Sequence, residues 1–209
     1  RFNTNLTTIN DELLDLCGKF RLAAFSCSVD GTGKVLEYIR YPVNWEKLKA
    51  NYIKLIQAAD KYPFVVSLSC VVQLYNILNL TDMIEELWAI EDEYRTENTN
   101  IARTYLENMI GPEHLALQGA PQIVKNVALP QIKAWRRSHP EAEQRLLDGW
   151  NSFDVMVEHM VSEPKGRITA QRHLDYAKFL DQNKKISIEE NIPRLYQLLR
   201  IDAESRKED

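Results

Sequence analysis

Through the first half of the chain the spacing of apolar residues switches repeatedly between a period of two and a period near 3.6. From 22 to 29 the run predicts a strand, with Phe25, Cys27 and Val29 on one face and Ala24, Ser26 and Ser28 on the other. Asp30 follows on the serine side. A second run, 64–72, repeats the arrangement: Phe64, Val66, Leu68 and Cys70 share one face, Ser67 and Ser69 the other. Between the two, Asn44 caps a helix from Trp45 to about Lys61, on which Trp45, Leu48, Tyr52, Leu55, Ile56 and Ala59 recur at helical spacing. A shorter helix is capped by Asn10 and closed by Gly18, after a short strand ending near Thr4 and Asn5. A further helix runs from Thr81 to about Ala89. Strands alternating with helices at this spacing predict βαβ units, a parallel sheet and the α/β class.

Beyond about residue 92 the pattern changes. One more strand is expected between Asn100 and Leu117, carrying Tyr105, Leu106 and Met109, before Gly111 and Pro112. Past Pro121 the period is helical, predicting helices over 122–137, 140–160, 167–181 and 189–201. Trp45, Trp88, Trp135 and Trp150 sit at helical spacing and read as core. His159 and His173 read as surface or packing residues.

Composition narrows the field. The 209 residues are 44% hydrophobic and 27% charged, enough for a sizeable core. A net charge of −4 with no basic face argues against nucleic acid, and no run approaches the ~20 apolar residues of a membrane span. Cys17, Cys27 and Cys70 are dispersed and odd in number, which predicts a reducing, cytoplasmic setting and no metal-ligand spacing. The chain opens on Arg1, already inside a strand, and is expected to be a piece of a longer polypeptide.

The serine faces carry the candidate chemistry. Ser28 and Asp30 lie roughly 7 Å apart along the strand at its carboxyl end, where ligands sit in α/β folds. A hydroxyl beside a carboxylate suits a ribose diol, and Gly31 and Gly33 let backbone pass close to a ligand. Ser67 and Ser69, on the neighbouring strand, would line the same cavity. Arg40, just past the end of the strand, stands near the same place or anchors its own loop. Asn5, with Asn3, is within reach of the same place or forms a turn. The plainer reading makes Asp30-Gly31 a turn and the serines a gap in packing.

Ser28-Val29-Asp30-Gly31, about twenty residues after Thr4-Asn5, resembles the ribose motif on the fourth strand of radical S-adenosylmethionine (radical SAM) enzymes. Further matches follow in order: Tyr38-Ile39-Arg40, Trp45 opening a helix, Val71 to Asn76, Asn79-Leu80, Gly111-Pro112, Leu129-Pro130, Leu180-Asp181 and Ile192-Pro193. The order is similar to members with a twitch-type carboxy-terminal extension. The resemblance implies an incomplete parallel (β/α) barrel of the TIM type over residues 1–120 and a helical, twitch-like region over 121–209. It implies S-adenosylmethionine as cosubstrate, held through Ser28, Asp30, Ser67, Ser69, Arg40 and Asn5. It also implies a 4Fe–4S cluster that cleaves the cosubstrate to a 5′-deoxyadenosyl radical, acting on a peptide or small metabolite. The cluster-binding Cys-x-x-x-Cys-x-x-Cys belongs before the first strand seen here and is missing, so no catalytic or metal-ligating residue is assigned and this chain alone is expected to be inactive. Two other classes stay open. One is a non-enzymatic α/β and helical partner-binding module, the other an unrelated α/β enzyme binding a nucleotide or sugar.

Overall fold

A computed structural model describes residues 1–149, 151–162 and 169–206. Trp150, the start of the predicted helix at 167–168 and the tail at 207–209 lie outside the described residues. Strand β1 (Phe2–Thr4) leads into helix α1 (Asp11–Cys17), where the Asn10 side chain accepts from the Leu13 N–H at 2.9 Å and Gly18 returns its N–H to Leu14 O at 2.8 Å. A Cβ at 18 would lie 2.3 Å from the Tyr62 ring, so any larger residue there would have to displace that ring. Strand β2 (Ala23–Ser28), helix α2 (Gly33–Ile39), helix α3 (Trp45–Lys61), strand β3 (Phe64–Val72) and helix α4 (Leu80–Tyr94) follow. Helix α3 begins where expected, since Asn44 accepts from the Lys47 N–H and Glu37 from the Trp45 N–H. The positions that set its period, Trp45, Leu48, Tyr52, Leu55, Ile56 and Ala59, are all buried.

The protein is α/β with a parallel sheet. The strands run in chain order, β1-β2-β3, each parallel to the next. The single strand expected after 100 is two pieces, β4 (Asn100–Ile101) and β5 (Tyr105–Asn108), both laid along the free edge of β3. Thr104, just before β5, turns instead to Leu146, donating to Arg145 O and accepting from the Leu147 N–H, both at 2.8 Å.

Alternation along β3 is strict. Phe64, Val66, Leu68, Cys70 and Val72 are buried, while Val65, Ser67, Ser69 and Val71 are half-buried. Helices α3 and α4 cover the first set: α3 packs on β3, and Cys70 Sγ sits 3.9 Å from Met83 Sδ. Register places Ser26 beside Ser67 and Ser28 beside Ser69, so the serines of two strands form one small polar face.

The carboxy-terminal half is helical: α5 (Gln122–Ser138), α6 (Ala142–Arg145), α7 (Asn151–Val161), α8 (Ala170–Lys184), α9 (Ile188–Asn191) and α10 (Pro193–Ser205). Two predicted helices are broken. Segment 140–160 is interrupted where Leu146 turns extended to reach Thr104 and Gly149 takes φ +53°. Segment 189–201 breaks at Ile192, which leaves the helical region (φ −134°, ψ 58°) before Pro193. Trp45, Trp88 and Trp135 are buried, as expected of core residues. Buried apolar residues from Leu6 to Ala203 form one cluster, so both halves share a core.

Between the halves lies a buried ion pair. Glu91 accepts from the Tyr52 hydroxyl and from Arg145 Nη2, each at 2.7 Å, and Arg145 also reaches Asp92 and lies over the Trp88 ring. Desolvation raises the Glu91 pKa against the opposing pull of Tyr52 and Arg145.

Candidate functional site

The carboxyl ends of β2 and β3 meet around Asp30. The residue is 5% exposed, and both carboxylate oxygens are engaged. Oδ1 accepts from the Val71 N–H at 2.8 Å; Oδ2 accepts from Arg40 Nε at 2.7 Å and lies 2.6 Å from Nη2. Asn76 completes the junction: its Nδ2 donates to Asp30 O and Val71 O, both at 2.9 Å, and its Oδ1 accepts from the Gln73 N–H. The carboxylate therefore ties the end of β2 to the end of β3 and to the end of α2.

This changes the place of Arg40. It does not follow a strand; it caps helix α2, and its guanidinium is committed to Asp30. Residues 33–39 give no strong apolar period, and the helix forms because Gly33, at φ +54°, turns the chain out of the loop.

The serines remain available. Ser28 and Ser69 are register partners and half-buried, and among the described residues neither hydroxyl has a protein partner. Tyr105 stands beside Ser69 on β5, widening the polar row. Ser67 Oγ donates to Phe25 O at 3.2 Å, and Ser26 is buried beneath the Arg1 guanidinium. Asn5 is elsewhere in function: it is exposed, and its Oδ1 accepts from the N–H and hydroxyl of Thr7, which closes a turn. Asn3 is the register partner of Ser26 on the same face.

The structure thus brings Ser28, Ser67 and Ser69 together, sets Asp30 and Arg40 against each other at their outlet, and leaves Asn5 apart. Sequence reading quoted Val71 to Asn76 as a match but gave no role to Asn76, whose amide binds three backbone groups, nor to Gln73 and Tyr75. The signal was present: buried polar residues directly after a nine-residue strand are costly unless they have a task.

The thiols do not fit an iron–sulfur cluster. Cys17, Cys27 and Cys70 are all buried, and desolvation pushes the Cys27 and Cys70 thiols well above their ordinary range. Among the described residues no group of three or more His, Cys, Asp or Glu is placed to hold a metal ion, and no helix is long and apolar enough to cross a membrane. No family model, no curated protein and no solved structure matches the chain.

Proposed function

We propose that the chain is the carboxy-terminal part of a radical SAM enzyme, and that the serine face holds the nucleoside of S-adenosylmethionine. One observation carries the reading: parallel strands in chain order, helix-covered on one side, present unpartnered Ser28 and Ser69 hydroxyls side by side on the other. Parallel sheets are ordinarily covered on both faces, so a half-exposed polar face suits the inner wall of an incomplete (β/α) barrel.

The free edge agrees. On β1 the exposed Phe2 ring meets the exposed Phe20 edge-on at 6.2 Å and stacks on Phe25 at 5.4 Å. An unpaired parallel edge bordered by apolar residues favours further βα units on that side. About 60–90 residues, at about 30 per unit, would supply them together with the cluster cysteines.

Asp30 has a narrower role than a direct ribose clamp. With both oxygens taken, it fixes the strand ends and the Arg40 guanidinium, while Ser28 and Ser69 face the ribose. Ser67 lies one step deeper, toward adenine. The setting would be cytoplasmic, and the substrate a peptide or small metabolite.

Extending the reading frame upstream tests the proposal. A Cys-x-x-x-Cys-x-x-Cys within about 100 residues and iron uptake by the extended protein on anaerobic reconstitution are expected, at about 30 residues per unit. In that protein Ser28→Val with Ser69→Val should weaken S-adenosylmethionine binding about tenfold or more, the scale of one or two lost hydrogen bonds. A start codon adjacent to Arg1, or unchanged affinity in the double variant, ends the reading.

A further inference from the structure

Of all the residues in the five strands, Glu107 alone carries a charge. It stands on the serine face. Register pairs Tyr105 with Ser69 and Glu107 with Val71, and parallel partners share a side of the sheet. Both side chains therefore continue the open face, while Leu106 between them turns to the buried side. The Met109 N–H donates to Val72 O at 2.9 Å, which holds β5 along β3 past Glu107.

Three rows cross the face. Asn3, Ser26 and Ser67 form the first, and Ser28, Ser69 and Tyr105 the second. In the third, nearest the outlet, Asp30 accepts from the Val71 N–H and Glu107 lies on the far side of Val71. Rows are about 7 Å apart and strands about 4.8 Å, which puts Glu107 roughly 8 Å from Ser69 along the diagonal.

Charge is uneven over this surface. Asp30 and Arg40 cancel, with Oδ2 2.6 Å from Nη2. Arg1 belongs to the first row, its Nη2 3.5 Å from Ser26 Oγ. That is two rows and two strands from Glu107, about 16 Å, which exceeds the screening length at physiological salt. Arg103, two residues before Tyr105, donates to Leu147 O instead. Glu107 itself is exposed and has no hydrogen bond or ion pair among the described residues. The β5 end of the face thus carries one uncompensated negative charge beside the Tyr105 ring, which is 36% exposed. A carboxylate next to an aromatic ring suits an ammonium or guanidinium on an alkyl stem. The head pairs with the carboxylate, and the stem lies along the ring.

We infer that Glu107 and Tyr105 form the substrate end of the serine face and select a substrate bearing a basic side chain, such as a lysine or arginine residue of a peptide. Giving this end to the substrate rests on the nucleoside reading, which fills the row of Ser28 and Ser69; the preference for a cation rests on Glu107. A charge on an edge strand also guards against pairing with another chain. That role needs no ligand, and it predicts aggregation of an uncharged variant with no change in what the face binds.

Lysine, norleucine and glutamate, each as its N-acetyl N-methylamide, have similar stems and differ in charge, which makes them the probes. They are titrated into the 209-residue chain and followed by NMR of the Tyr105 ring and the Ser69 amide. The lysine derivative should bind about fivefold more tightly than the norleucine one, the scale of an exposed ion pair, and the glutamate derivative most weakly. Salt at ~1 M, which screens charges beyond about 3 Å, should remove the preference. Glu107→Gln should remove it too, with an unchanged thermal midpoint because no protein bond is lost. Equal binding of the lysine and norleucine derivatives, a preference that survives Glu107→Gln, or binding by none of the three overturns the inference. Adenosine is titrated separately. A lysine preference without adenosine shifts at Ser28 and Ser69 ends the nucleoside reading and keeps the cation site, whereas adenosine shifts without the preference keep that reading and end the inference.

Discussion

The two faces of the sheet share a backbone and differ in almost everything else. Along β3, one face carries Phe64, Val66, Leu68, Cys70 and Val72, sealed under α3 and α4 and joined to a core that reaches the last helix. The other carries Val65, Ser67, Ser69 and Val71, half-buried, with two small hydroxyl side chains at its centre. Stability belongs to the first face, since hydrophobic burial scales with apolar area removed from water. The second gives up that term and keeps hydroxyls free. A strand can serve both ends only because successive residues point opposite ways.

Truncating the apolar face should therefore cost most. Leu68 is 2% exposed and packs in the cluster, so Leu68→Ala should lower unfolding stability by about 2–5 kcal/mol in chemical denaturation. A loss below about 1 kcal/mol would mean the covered face is not where the stability resides.

The joint between the halves comes next. Arg145 is the only cation bonded to buried Glu91 among the described residues, and Glu91 already resists ionising because of burial. Arg145→Met should cost about 2–4 kcal/mol at neutral pH, a little less than for a fully buried pair because Arg145 is partly exposed. The sign with pH follows from the raised pKa. The folded state holds the Glu91 proton more tightly than the unfolded chain, so the cost of the charge is present above the folded pKa and fades as pH falls through it. Part of the loss in Arg145→Met should thus return in mild acid, and Glu91→Gln in the same variant should return it at every pH. A pH-independent loss would locate the cost in the Trp88 stacking instead.

How much of this was legible beforehand depended on whether the signal was local. Helices α1 and α3 were readable to within a residue, because Asn10, Gly18 and Asn44 carry their own caps and the apolar period is regular. The two-faced strands were readable because burial on a strand follows a period of two. Helix α2 was not: its start rests on the positive φ of Gly33 and its end on the pairing of Arg40 with Asp30, a contact ten residues apart. The break at Leu146 was hidden for the same reason, since its partner Thr104 is distant in the chain. The serines of the candidate site were visible in the sequence, whereas the commitment of Asp30 to Val71 and Arg40 required the register of two strands.

Within the helical half, His173 offers a smaller and purely electrostatic probe. It is 1% exposed, its Nε2 lies 3.1 Å from Gly119 O, and desolvation lowers its pKa. Below about pH 6.5 the unfolded chain takes up a proton that the folded chain refuses, so stability should fall with a slope of at most ~1.4 kcal/mol per pH unit for this one site. His114 is lowered too and adds in the same sense. His173→Gln should flatten the slope between pH 6.5 and the folded value. An unchanged slope would assign the acid sensitivity to other groups.

The open face gives the smallest effect and the sharpest contrast. Ser69 is half-buried with no protein partner for its hydroxyl, and its register neighbours Ser28 and Tyr105 make no bond to it. Removing that hydroxyl exposes no orphaned group and opens no sealed cavity, so Ser69→Ala should move stability by no more than about 0.5 kcal/mol in either direction. Placed beside Leu68→Ala, its immediate neighbour in the chain, the pair isolates the face as the only variable, since strand, register and depth in the sheet are common to both. Equal losses would show that the serine side is sealed in solution. A neutral Ser69→Ala beside a costly Leu68→Ala would leave the hydroxyl row with no part in holding the fold, which is the condition a surface must meet before its chemistry can be given over to a ligand.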